Sequence, residues 1–139
     1  MFNMSRSTRM CALLFSAGFL LTSPARAFDL NGAWATGTDV CGKVFVKKGD
    51  KIGFAQFSEE FGNGFVADGN DVRSKTARCT ITSRKETGDT IDFHAACASE
   101  IMATSTSVRL KILDANRVSR LFTDPAFAGM ELTFYRCPM

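Results

Sequence analysis

Histidine is almost missing from this chain. His94 is the only one, which leaves no imidazole pair to hold a metal and makes any histidine-based catalysis depend on that single residue. No G-x-S-x-G and no C-x-x-C occurs, so the nucleophile elbow and the common thiolate metal and redox motifs are gone as well. No stretch carries the 3.6-residue apolar period of a long amphipathic helix. Beyond Thr22 no apolar run is long enough to cross a bilayer. An excess of one charge is also lacking once the N-terminus is considered separately. Arg6, Arg9 and Arg26 lie in a leader, and without them the 17 Lys+Arg of the full chain become 14 against 14 Asp+Glu. The formal charge of +3 therefore gives no ground for a nucleic-acid or anionic-membrane partner.

The leader spans residues 1–27. Arg6 and Arg9 form a positive n-region, Met10 to Thr22 an apolar run, and Ala25-Arg26-Ala27 ends it with the A-x-A pattern of a signal peptidase site. The run is too short for a comfortable membrane anchor. Cys11 sits inside it, ahead of any cleavage point, and so is no lipoprotein anchor. The two arginines are not adjacent, so a twin-arginine route is not indicated. The expectation is export to the periplasm or the exterior, leaving residues 28–139 as one domain without a membrane anchor.

That domain holds four of the five cysteines: Cys41, Cys79, Cys97 and Cys137. An even number in an exported chain implies two disulfides, for which sequence permits three pairings. Strand parity prefers one of them. Cys79, Ile81 and Ser83 alternate with polar residues along one arm, and Ile91, Phe93, Ala95 and Cys97 along a second, with Glu86 to Asp89 as the turn. Folding the arms about Gly88 sets Ile81 against Ala95, Cys79 against Cys97, Asp92 against Arg84 and His94 against Thr82. Cys41 and Cys137 share parity with polar neighbours, point away from the apolar faces, and are left to join the first strands to the last.

Other strands are expected at Phe28–Thr36, Val40–Lys48, Ile52–Phe57, Phe65–Val66, Val108–Ile112, Val118–Phe122 and Met130–Cys137. Ala98–Ser107 reads as a connection, and Asp124-Pro125 as the cap and first position of one helical turn. Three hairpins of similar length recur, at Lys43–Phe57, Arg78–Cys97 and Val108–Phe122. The fold class is all-β: a small antiparallel barrel or meander of about eight strands, stapled by disulfides.

Gly32-Ala33-Trp34 carries a G-x-W at the start of the first strand. On that motif the chain resembles the calycin group of small exported β-barrels, which includes the lipocalins and the bacterial metalloprotease inhibitors. The resemblance implies that Trp34 closes one barrel end and that an arginine of the last strand, Arg136, packs across it. It also implies two roles. An inhibitor would insert a short projecting N-terminal segment, here Phe28, Asp29, Leu30 and Asn31, into a periplasmic or secreted protease. A lipocalin-like carrier would hold a small apolar ligand in a cavity lined by Ile81, Phe93, Leu110, Ile112 and Phe134. A barrel this small has an interior its own side chains can fill.

The remaining motifs have plain readings. Phe54, Phe57, Phe61 and Phe65 flank a loop and serve as its anchors into the core. Gly62-Asn63-Gly64 lacks the following helix of a dinucleotide site. Asp68-Gly69-Asn70-Asp71 is a turn without the spacing of a calcium loop. Glu59 and Glu60 are adjacent and would face opposite ways in a strand. His94 sits in an exposed polar row. No metal, cofactor or catalytic residue is expected, and the sequence reads as a binding module, first protein-binding, second a carrier.

Overall fold

The structure, a computed structural model, describes residues 26–139. The leader expected over 1–27 lies, apart from Arg26 and Ala27, outside the described residues.

Ten strands form: β1 (Gly32–Ala35), β2 (Phe45–Lys48), β3 (Lys51–Phe54), β4 (Gly64–Asp68), β5 (Asp71–Arg73), β6 (Ala77–Thr87), β7 (Thr90–Ser99), β8 (Ala103–Asp114), β9 (Arg117–Leu121) and β10 (Glu131–Cys137). Eight of them close an antiparallel barrel in the order β1-β10-β9-β8-β7-β6-β5-β4, with β4 returning to β1; β2 and β3 pair separately. From β4 onward every strand pairs with its successor, so short polar turns suffice to build the wall.

Period-2 alternation sorts the side chains. Trp34, Phe65, Ala67, Ile91, Phe93, Leu110, Val118 and Phe134 point inward and form the barrel core. Trp34 stacks on Phe65 with centroids 6.1 Å apart, and Phe65 meets Phe134 edge-on at 5.1 Å. These three rings fill most of one end.

The alternate residues of β1 and β4 build a second core on the outside of the wall. Ala33, Ala35 and Val66 are covered there by Cys41, Val44, Phe45 and Cys137. This corrects the strand expected over Val40–Lys48. Residues Thr38–Val40 form a 3-10 turn and Cys41–Val44 one helical turn, so strand pairing begins only at Phe45. The spacing explains it: Cys41, Val44 and Phe45 lie at i, i+3 and i+4, one face of a helical turn, and all three are buried. Cys41 and Cys137 therefore do not point away from apolar surroundings as parity suggested. They lie outside the barrel but inside this second core.

Gly64 marks how close the two layers come. A Cβ there would stand 2.8 Å from the Phe45 ring and 2.9 Å from Val44, so only glycine lets the β2–β3 flap seat.

Both expected disulfides are present. Cys41–Cys137 links residues 96 apart and Cys79–Cys97 links residues 18 apart. The segment Ala98–Ser107, expected as a connection, is mostly strand. Ala103 to Ser107 continue β8 against Ala98 to His94 of β7, leaving only the turn around Glu100, Ile101 and Met102. Asp124 caps the 3-10 turn Pro125–Phe127 through the Ala126 amide, as its sequence indicated.

Candidate functional site

The β6–β7 hairpin decides what faces the interior. Cys79 stands opposite Cys97 and Ile81 opposite Ala95, but beyond them the register slips by one at Thr82. The turn is the two-residue Gly88-Asp89, with Thr87 opposite Thr90. Folding about it alone would misalign the cysteines, and an extra residue at Thr82 restores them. A bulge reverses parity for the residues on its far side. Arg84 faces Phe93 and Glu86 faces Ile91, both inward. The expected Arg84–Asp92 pair is accordingly absent. Asp92 stands opposite Lys85 and binds Arg109 of β8 at 2.7 Å. That hydrogen bond, reinforced by the carboxylate's charge, raises the Arg109 pKa.

At this end of the barrel Arg84 and Glu86 form an ion pair and hold Phe28. The Phe28 amide donates to both Glu86 oxygens, at 3.1 and 3.4 Å, and Arg84 donates to the Phe28 carbonyl. Arg136 completes the closure. It donates to the carbonyls of Asp29 (2.7 Å), Asn31 and Ala115 (3.0 Å), with its guanidinium carbon 4.3 Å from the Trp34 ring centroid. Trp34 donates its indole N–H to the Leu30 carbonyl at 2.8 Å, and Leu30 is buried in the core. The Trp34–Arg136 pair forms as expected. The segment Phe28–Asn31 does not project: it precedes β1 and is fastened across the barrel end, because its carbonyls are the acceptors two inward arginines need.

The other half of the barrel is not filled. A cavity of about 170 Å³ lies between Phe65 and Phe134 below and Cys79 and Thr106 above. Ile81, Phe93, Leu110 and Phe134 line it as expected; Ile112 does not, packing instead within the core nearer the closed end. Arg120 of β9 is the one charged residue in the lining, opposite Leu110 and Leu132. Its parity with buried Val118 brings it inside. The guanidinium stacks 4.9 Å from the Phe122 centroid. Among the described residues no hydrogen bond or ion pair engages it.

His94 faces outward, opposite Ser83 rather than Thr82. Its Nδ1 shares a 2.8 Å hydrogen bond with the Ser107 hydroxyl, and its carbonyl accepts from Thr82. A serine–histidine contact suits nucleophilic chemistry when a third group orients the imidazole. Asp92, the nearest carboxylate along the strand, is committed to Arg109.

Two further surfaces carry charged or aromatic side chains. A groove between the β2–β3 turn and β4–β6 carries Asp50, Lys51, Asp68, Asp71, Arg73 and Arg78, charges of both signs. Arg73 there donates to the Ile52 carbonyl at 2.8 Å, fastening the flap. The loop aromatics divide: Phe54 packs on Phe45 and Phe65 enters the barrel, whereas Phe57 and Phe61 are exposed. No cluster of metal-ligating side chains occurs among the described residues.

The fold is thus a closed eight-stranded antiparallel barrel with a two-stranded flap and two disulfides, of a kind that belongs in an oxidising compartment. Among the described residues no helix is long and apolar enough to cross a membrane. Comparison with protein-family models, with curated proteins and with solved structures finds no match to this chain.

Proposed function

We propose that this is an exported, non-catalytic carrier of the calycin type, taking a small amphiphile whose apolar end enters the barrel and whose anionic end meets Arg120. The observation that carries the reading is Arg120 itself: a half-buried guanidinium on the wall of an apolar cavity, with no counter-charge among the described residues. A cation in such a place is costly unless paired. Volume bounds the ligand. Drug-sized sites run to about 300–1,000 Å³, while an apolar cavity of about 150 Å³ takes benzene. A space of about 170 Å³ suits a short chain or the tip of a longer one. The closed end argues against the inhibitory role, since the segment that would enter a protease is bound in the fold. The A-x-A pattern at Ala25–Ala27 and the disulfides support delivery through a cleaved leader to the periplasm or beyond.

Native mass spectrometry of the protein recovered from its own host tests this. A small anionic adduct that leaves on unfolding is the expected result; a bare protein that also fails to take up medium-chain carboxylates overturns it. One observation favours a second reading, protein docking. Ile101 is 89% and Met102 58% exposed at the tip of the β7–β8 hairpin, and exposed apolar residues in a group mark contact sites. Loss of a co-purifying protein in an Ile101→Ser, Met102→Ser double variant with unchanged ligand uptake would support it.

A further inference from the structure

The Phe28 nitrogen occupies an unusual position for a backbone amide. An amide has one hydrogen to give, yet both oxygens of Glu86 lie within 3.4 Å of this nitrogen. The residues before it, Arg26 and Ala27, are exposed, so the chain leaves the barrel for solvent at this point. The A-x-A pattern ends at Ala27.

We propose that the closed end of the barrel is a built receptor for the α-ammonium created by cleavage between Ala27 and Phe28. The hydrolysis adds water across the Ala27–Phe28 amide under a leader peptidase. The C–N bond breaks, Ala27 leaves as a carboxylate, and Phe28 keeps the nitrogen, which takes up a proton. One donor becomes three on a cationic centre, and two of them serve the two Glu86 oxygens. Charge-assisted hydrogen bonds of this kind are roughly twice as strong as neutral ones. Arg84, paired to Glu86 and bound to the Phe28 carbonyl, holds the carboxylate in place, and Arg136 fixes the next turn of chain at Asp29 and Asn31. The bulge at Thr82, which turns Arg84 and Glu86 inward, gains a purpose: it puts the receptor where the new terminus emerges. Processing then does more than release the protein. It locks the barrel end.

This rests on the export reading for the position of the cleavage, and the test separates the two. Proteins are prepared with a defined first residue, Phe28 or Ala27, each with and without Glu86→Gln, and their unfolding equilibria are compared. The Phe28-initiated protein is expected to be more stable, and Glu86→Gln to reduce its folding constant by about fivefold more than that of the Ala27-initiated protein. Equal losses in the two backgrounds overturn the proposal. Should Glu86→Gln not fold, acylation of the wild-type α-amine decides: slower reaction in the native than in the urea-unfolded chain is expected, and equal rates contradict docking. Mass spectrometry of the protein from its own host reads the cleavage point independently. An N-terminus other than Phe28 there overturns the physiological lock even where the prepared protein shows coupling.

Discussion

Arg136 and Trp34 stand directly opposite one another on β10 and β1, and the guanidinium lies 4.3 Å from the indole centroid. The same arginine binds carbonyls at residues 29, 31 and 115, so one side chain joins the N-terminal segment, the β8–β9 turn and the last strand. Cation–π attraction contributes about 0.5–2 kcal/mol and each hydrogen bond from a charged donor about 1.5–3 kcal/mol.

Arg136→Ala is expected to cost about 3–5 kcal/mol, counting the carbonyls it strands. Arg136→Lys should recover less than half, because an ammonium cannot reach three carbonyls and cover a ring. Chemical denaturation followed by Trp34, the single tryptophan, measures both. Equal stability of wild type and the alanine variant would refute the role.

The two disulfides should differ in weight. Chain-entropy reasoning gives about 4.7 kcal/mol for a loop of about 100 residues and about 3 for one of about 15; the observed separations are 96 and 18. Removing Cys41 and Cys137 together should therefore lower stability by more than removing Cys79 and Cys97. Cys41–Cys137 also lies in the second core, which adds to its cost. The reverse order in a denaturant series would contradict the reading.

Gly64→Ala should destabilise by about 1–3 kcal/mol through overpacking, since the Phe45 and Val44 side chains stand within 2.9 Å of the new carbon. Gly64→Ala combined with Phe45→Leu should regain part of the loss. Additive losses would show that the contact is not the cause.

Thr82 supplies the extra residue of the bulge, and its side chain faces solvent. Thr82→Ala should fall within about 0.5 kcal/mol of wild type. Deleting Thr82 should also be mild, because Ile81 already pairs with Ala95 and Ser83 with His94, so removing the extra residue leaves a regular ladder with Arg84 and Glu86 still facing the barrel end. A deletion variant much less stable than wild type in chemical denaturation would rule this out.

Much of this was legible because β-structure writes itself in alternation. Ile81, Ala95, Cys79 and Cys97 find their partners from parity alone, and Trp34 and Arg136 from a three-residue motif and the parity of the last strand. What misled parity was a single inserted residue. The turn uses Gly88 and Asp89 alone, so the slip at Thr82 is invisible in sequence, and with it the inward turn of Arg84 and Glu86. Cys41 misled for another reason: its helical turn is stabilised by packing against Ala33, Ala35 and Val66, a surface that exists only after the barrel closes. Small polar residues at Ala103–Ser107 looked like a loop, yet a ladder against β7 asks little of side chains. Arg120, the residue on which function is argued, sits inside against its type.

Titration of medium-chain carboxylates, with the matching alcohols as controls, into wild type and Arg120→Leu addresses the ligand-carrier account most directly. Chemical shifts of the methyl groups of Ile81, Val108 and Leu110 report entry into the cavity. Saturable shifts with the acids, weaker by about tenfold or more with the alcohols, and loss of that preference in Arg120→Leu are the results the account predicts. Acids and alcohols binding alike to wild type, or neither reaching those methyls, would contradict it.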